Sequence, residues 1–134
     1  MKHRLKVLSI VAFCVYLAAV AVLCFIKPSS FPEMDIKTFL GIPIDKILHF
    51  IMFLPYPVLS GMVFISKEQK RPAVIATLLI LALTGIGVAY GTEMIQSHTD
   101  YRSYEIADFY ADIAGIAAGT IFTASCLIYT RLKK

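Results

Sequence analysis

Long apolar runs separated by polar connections account for most of the chain. Residues 7–26 form an uncharged apolar run of twenty residues, and further apolar runs cover 47–66, 73–95 and 106–129. Because the hydrocarbon core of a bilayer is about 30 Å thick, about 20 helical residues are needed to cross it. The pattern therefore predicts an all-α integral membrane protein, in which residues 1–134 form a single domain of four transmembrane helices.

The connections between these predicted spans differ in length and composition. Those at 67–72 and 97–104 are short, which predicts that the spans they join are antiparallel neighbours. The first connection, 27–46, is long and contains three prolines and a glycine. Such a composition favours turns, and we expect this segment to lie along the membrane surface.

The overall composition supports a membrane location. Hydrophobic residues make up 58% of the chain and charged residues 16%, whereas soluble domains average about 45–50% and about 25%. The excess of apolar side chains needs lipid around it. All three cysteines fall inside the predicted spans, so we expect them to be small buried residues rather than a disulfide framework.

Basic residues predict the orientation of the spans. Cytoplasmic loops retain Lys and Arg, and nine of the 13 such residues fall on one predicted side of the membrane. We therefore expect both termini in the cytoplasm, and the net charge of +4 requires no nucleic-acid partner. The nine residues are Lys2, Arg4, Lys6, Lys67, Lys70, Arg71, Arg131, Lys133 and Lys134.

The amino-terminal run also has some features of a cleavable signal peptide. Basic residues precede it, and the small triplet Ala19-Val20-Ala21 could mark a cleavage site. The apolar run continues past this triplet to Ile26, however. Cleavage would also leave an odd number of spans and place the basic 67–71 loop against the orientation rule, so we expect the first span to be retained.

Glycine and proline positions predict how the spans pack. Glycines four residues apart let transmembrane helices approach closely, and such pairs occur at Gly87 and Gly91 in span three and at Gly115 and Gly119 in span four. We therefore expect spans three and four to pack tightly together. Pro55 and Pro57 should interrupt span two, either as a packing kink or by freeing carbonyls that line a cavity.

Polar residues concentrate at the predicted outer ends of spans two, three and four. Residues four apart share a helix face, so Asp108 and Asp112 continue the stripe of Gly115 and Gly119. An ionisable residue at the depth of Asp112 should face a partner or water rather than lipid. The converging residues are Asp45, Lys46, His49, Glu93, Gln96, Arg102, Glu105, Asp108 and Asp112.

The order of these polar motifs, over about residues 41–120, resembles the VanZ-like family of small membrane proteins. The matching motifs are Asp45-Lys46-x-x-His49-Phe50, Glu93-x-x-Gln96, Arg102-Ser103 and Asp108-x-x-x-Asp112-x-x-Gly115-x-x-x-Gly119. The resemblance implies a multi-pass protein of the bacterial cytoplasmic membrane. The founding member of the family is associated with teicoplanin resistance. The family more often has Asn where this chain has Asp112. Span one lies outside the match, and we expect it to add only bulk.

Several chemistries suit the polar cluster. Glu93, Asp108, Asp112 and His49 form the candidate catalytic centre, as general acid and base. The same groups are nitrogen and oxygen ligands for a divalent metal, although no metal-binding motif is present and no cofactor is required. Whether the chain is an enzyme is left open by these residues.

The candidate ligand-binding residues are Lys46, Gln96, Arg102 and Asp45. Lys46 and Arg102 could contact the phosphate or carboxylate of a membrane lipid, a lipid-linked envelope precursor or a glycopeptide. Asp45 could instead cap the second span. The expected function is therefore to bind or alter a lipid-linked envelope component at the outer face. The alternative is a structural or interaction subunit whose polar cluster only holds the helices together.

Overall fold

The computed structural model describes residues 2–26, 37–100 and 103–132, and most of these residues are helical. One short hairpin precedes the second helix, with strands β1 and β2 paired antiparallel. In chain order the elements are α1 (Lys2–Phe25), β1 (Thr38–Phe39), β2 (Ile42–Pro43), α2 (Ile44–Phe53), α3 (Pro55–Phe64), α4 (Arg71–Ser97) and α5 (Ile106–Leu132).

In the described part of the chain, four helical segments are long and apolar enough to cross a membrane, which confirms the prediction of four such helices. They are His3–Phe25, Ile44–Phe64, Arg71–Ser97 and Ile106–Leu132. The second begins three residues before the predicted span, since the polar residues at its start are also helical. Many long apolar side chains on these helices stay exposed, as expected of surfaces that contact lipid rather than water.

The second membrane-length segment is interrupted at Leu54, as its two prolines predict. Pro55 has no N–H to continue the helical hydrogen bonds, so α2 ends at Phe53 and α3 begins at Pro55. Leu54 keeps helical angles, φ −55° and ψ −41°, and its N–H donates to the Phe50 carbonyl at 3.0 Å. The interruption is therefore a local break between two helical pieces, without an unwound stretch.

Helix α5 lies with its glycines against this break. A Cβ atom added at Gly115 would collide with the carbonyl oxygen of Phe50, and one added at Gly119 would collide with that of Leu54. Within the described part of the chain, nothing lies within 4 Å of the Cβ positions of Gly87 and Gly91. Spans three and four do pack together, for example through Tyr90 and Phe109, but the glycine pairs do not form that contact as predicted, because the pair in α5 faces α2 and α3 instead.

Helix α1 packs on the bundle through one face and contributes more than bulk. Its residues Tyr16, Val20 and Cys24 are spaced by four, and the last two are buried at 4% and 3% exposure. The Tyr16 hydroxyl donates a hydrogen bond of 2.7 Å to the carbonyl of Met52, in the last turn of α2. The carbonyls of a last helical turn lack donors from their own helix, so this bond attaches α1 where span two is interrupted.

The cysteines correct another expectation. Cys24 is buried as predicted, but Cys14 and Cys126 are exposed on the surfaces of their helices, and all three are free thiols. A small apolar residue costs little on a lipid-facing surface, so its position in a span does not require burial.

We expect the Tyr16→Phe variant to lose about 1 kcal/mol of unfolding free energy, because it removes one hydrogen bond without opening a cavity. Unfolding in mixed detergent micelles would measure the loss. Tyr110→Phe is the matched control, since Tyr110 is 61% exposed and its hydroxyl should contribute almost nothing. Equal stabilities for the two variants would show that the Tyr16 bond does not hold α1 in place.

The hairpin sets the direction from which the chain enters α2. Leu40 and Gly41 form its turn with φ of 52° and 78°, the left-handed values that a tight two-residue hairpin turn needs. The Ile44 N–H donates to the Lys37 carbonyl at 3.2 Å, which closes the hairpin onto the first residue of α2. The hairpin therefore fixes the position of the first turn of α2, which carries the polar residues Asp45 and Lys46.

Candidate functional site

The first turns of α2, the last turns of α4 and the first turns of α5 meet at one end of the bundle. Each helix contributes one buried ionisable side chain there: His49 from α2, Glu93 from α4 and Asp112 from α5. Their exposures are 7%, 1% and 0%. These three residues are referred to below as the buried centre.

His49 contacts both of the other residues of the buried centre. Its Nδ1 atom lies 2.9 Å from Oδ1 of Asp112, a hydrogen-bonding distance, and 3.7 Å from Oε1 of Glu93. Its Nε2 atom faces Oδ2 of Asp108 at 3.7 Å. One imidazole thus contacts all three carboxylates of the candidate catalytic set, which the structure brings together.

One atom of this centre has no hydrogen-bond partner among the described residues. It is Oδ2 of Asp112, which is buried with the rest of that side chain. Buried polar atoms nearly always have partners, and an unpartnered one costs about 1–3 kcal/mol, more when it is charged. Asp112 is nevertheless fixed in place, because Gly115 and Gly119, on the same helix face, hold α5 against α2 and α3.

A second, more exposed group of charges covers the centre and is referred to below as the entrance cluster. It consists of Lys46, Asp45, Glu105 and Asp108, with the Lys46 ammonium among the three carboxylates. Nζ of Lys46 lies 2.8 Å from Asp45 and 2.5 Å from Glu105, and it also donates to Asp108. Asp108 connects this cluster to the buried centre, since its other oxygen faces His49.

This arrangement bears on the ligand-binding roles expected of Lys46 and Asp45. The ammonium of Lys46 is already surrounded by carboxylates, so an anionic ligand would have to displace them. Asp45 accepts from Lys46 and lies in the first turn of α2, where the N-cap residue is Pro43 and no side chain caps the helix. The Asp45 carboxylate therefore interacts favourably with the positive end of the helix dipole, but it does not cap the helix.

Gln96 and Arg102 complete the expected set. Gln96 is 3% exposed, and its side-chain amide donates to the carbonyl of Cys24 at 3.4 Å. It thus ties α4 to the end of α1 beside the buried centre. Arg102 lies outside the described residues.

Among the residues that the structure describes, two groups of side chains have the composition and spacing to hold a metal ion. In each group, ligand atoms from the three residues all lie within 4.8 Å of one another. One group is the buried centre, and the other is Asp45, Glu105 and Asp108. The second group already binds the Lys46 ammonium, so the buried centre is the better candidate for a cation. It offers one nitrogen and two carboxylates, a set suited to metal binding or to proton transfer.

Two participants were missed by the sequence reasoning about site roles. The sequence places Glu105 near the cluster without assigning it a role, and the structure shows that it binds Lys46. Span one lies outside the VanZ-like match and is expected to add only bulk, yet the Cys24 carbonyl at its end accepts a hydrogen bond from Gln96. The four-residue spacing of Tyr16, Val20 and Cys24 was the available indication of a packed face.

Comparisons of this chain with protein-family models, with curated proteins and with solved structures find no match.

Proposed function

We propose that the chain is a VanZ-like protein of the bacterial cytoplasmic membrane that binds or alters a lipid-linked cell-envelope component at the outer face. Its four spans would run antiparallel with both termini in the cytoplasm, as the distribution of basic residues favours. The buried centre would then lie near the outer surface. The family assignment rests on the motifs from Asp45 to Gly119, and modified susceptibility to glycopeptides such as teicoplanin is the phenotype it suggests.

The observation that carries this proposal is the burial of His49, Glu93 and Asp112 in one contact. Ionisable groups within membrane-spanning helices are costly and by default mark functional sites. Lipid-facing helices gain nothing from three such groups where apolar side chains would pack. A centre that binds a polar group of a ligand, or moves its protons, accounts for retaining them.

Within this proposal the residues divide by position. Glu93 and Asp112 provide the acidic centre, with His49 as the titratable group between them. Asp108 connects that centre to the entrance cluster, where Lys46 would exchange one of its carboxylates for an anionic group of the ligand. Arg102 would contribute a second anion contact from the 97–104 connection.

The test is the teicoplanin susceptibility of a sensitive bacterial host that expresses the chain or its Glu93→Gln variant. We expect the wild type to protect and the variant to return the host to the susceptibility of cells without the protein. The amide has nearly the shape of the carboxylate but cannot ionise, so membrane abundance of the two proteins should be equal. Immunoblotting of membrane fractions would measure it.

Glu68→Gln is the matched control, because Glu68 is an exposed acid in the connection between α3 and α4, away from the site. It should protect as the wild type does. The proposal fails if Glu93→Gln protects fully, or if an abundant wild type gives no protection.

A structural role is the second candidate, and one observation favours it. The polar contacts at this end join separate helices: Gln96 links α4 to α1, while Lys46 links α2 to α5 through Asp108. Such bonds hold helices together in lipid, where apolar contact alone gives no preference for protein over lipid. Under this role, Glu93→Gln would lower membrane abundance together with any phenotype.

A further inference from the structure

We infer that His49, Glu93 and Asp112 bind one divalent transition-metal ion, for which Zn²⁺ is the best match. Its ligands would be Nδ1 of His49 and one carboxylate oxygen each from Glu93 and Asp112. What the ion does chemically rests on the proposed function, whereas its binding rests on the geometry of the buried centre alone.

The first support is the match of ligand types and separations. Zn²⁺ accepts His nitrogen and carboxylate oxygen at about 2.0–2.1 Å, so two tetrahedral ligands lie about 3.3–3.4 Å apart. The distances from Nδ1 of His49 to Asp112 and Glu93 are 2.9 and 3.7 Å, one on each side of that separation. Small side-chain rotations would therefore bring all three ligands to an ion placed between them.

The second support is the unpartnered Oδ2 atom of Asp112. It is a polar atom of a side chain with 0% exposure, in a cluster where two carboxylates share one imidazole. A divalent cation would give this oxygen the partner that the described residues do not supply.

The third support is the group behind His49. A histidine that binds a metal usually donates its other ring N–H to a carboxylate, which fixes its tautomer and orientation. With Nδ1 on the metal, Nε2 carries the proton and faces Asp108 Oδ2 at 3.7 Å. Asp108 is itself held by Lys46, so the entrance cluster orients the ligand from behind.

Three protein ligands are typical of catalytic zinc sites, which leave one coordination position for water or substrate. Structural zinc sites have four protein ligands instead. An ion with such an open position polarises a carbonyl or phosphoryl oxygen. The chemical class of ligand it would take is therefore an ester, amide or phosphate group of a lipid-linked component, bound through oxygen.

The test is the metal content of the full chain, purified in detergent without a polyhistidine tag from cells grown with added Zn²⁺. We expect about one Zn²⁺ per chain by elemental mass spectrometry. Asp112→Asn and His49→Ala should lower that content by about tenfold or more. His98→Ala is the matched control, since His98 is exposed and outside the centre, and it should keep the ion.

A second measurement does not depend on any variant. Co²⁺ added to the metal-stripped wild type should give visible absorption bands of a low-coordinate site, and Zn²⁺ should abolish them. Folded wild type with less than about a tenth of an ion per chain and no Co²⁺ bands would overturn the inference. So would an equal loss of Zn²⁺ in His98→Ala. Protection from teicoplanin is a separate readout: a metal-free protein that protects overturns only the metal site, and a metal-loaded one that does not protect overturns only the proposed function.

Discussion

The His49→Leu variant is expected to lose about 3–5 kcal/mol of unfolding free energy, the usual cost of removing one partner from a buried ionic contact. Leucine fills most of the imidazole volume, so packing changes little. Asp112, at 0% exposure, would then lose the hydrogen bond that joins its Oδ1 atom to His49. Folding would require either a buried unbalanced charge or the uptake of a proton.

Unfolding in mixed detergent micelles would measure this loss, with a chelator present so that protein groups alone decide the outcome. The His49→Leu, Asp112→Leu double variant should lose less than the sum of the two single variants, by about 0.5–3 kcal/mol, since neighbouring residues couple to this extent. Glu105→Gln is the control. Its carboxylate is 54% exposed, and an exposed ion pair contributes about 0–1 kcal/mol.

The loss in His49→Leu should also shrink as the pH is lowered from neutral. If the folded variant takes up a proton on a carboxyl group that is ionised when unfolded, the folded state binds more protons, and stability then rises as pH falls. A loss below about 1 kcal/mol at neutral pH, unchanged in acid, would contradict the view that His49 balances the buried carboxylates.

The second large effect is expected at the glycines of α5. Gly115→Ala and Gly119→Ala should each cost about 1–3 kcal/mol or more, the usual range for overpacking a filled contact. The added methyl groups would collide with the Phe50 and Leu54 carbonyls. These are backbone atoms and cannot rotate away, so α5 must separate from α2 and carry Asp112 away from His49.

Gly87→Ala and Gly91→Ala are controls of identical chemistry in the neighbouring helix. Nothing described lies within 4 Å of their added methyl groups, so the substitution should stabilise the helix by about 0.5–1 kcal/mol. The same unfolding measurement applies to all four variants. Comparable losses at Gly87 and Gly115 would contradict the packing of α5 against the break at Leu54.

The helices and the location of the site could be predicted from the sequence. Four apolar runs of bilayer length have few alternatives, and the interruption near Leu54 follows from a proline that lacks an N–H. The convergence of His49, Glu93 and Asp112 also follows from polar residues placed at corresponding ends of successive spans. These features depend on local composition and on chain direction, which a sequence contains.

Helix partners could not be predicted in the same way. The spacing of Gly115 and Gly119 indicates that another helix approaches closely, but it does not indicate which one. In the structure the glycines contact span two at its proline interruption. The four-residue spacing of Tyr16, Val20 and Cys24 is only a weak indication of packing, because both faces of α1 are apolar. Whether two apolar helix faces pack together depends on the complementary shapes of their surfaces, and amino-acid composition does not determine these shapes.

The role of Lys46 was unpredictable for a different reason. A basic residue at a helix end suggests an anion site, and the acids that occupy it come from α2, from α5 and from Glu105, which directly precedes α5. Only the packing angle of those helices decides that Asp45, Glu105 and Asp108 all reach the ammonium.

The entrance cluster also has a long-range consequence. Three carboxylates against one ammonium leave an excess of negative potential at the approach to the buried centre. Such a field concentrates cations and slows the arrival of anions, and salt screens it over a Debye length of about 8 Å at physiological ionic strength. The rate of cation capture should therefore fall as ionic strength rises. A phosphate-bearing lipid would arrive faster once a bound cation had reduced the electrostatic repulsion at the entrance cluster.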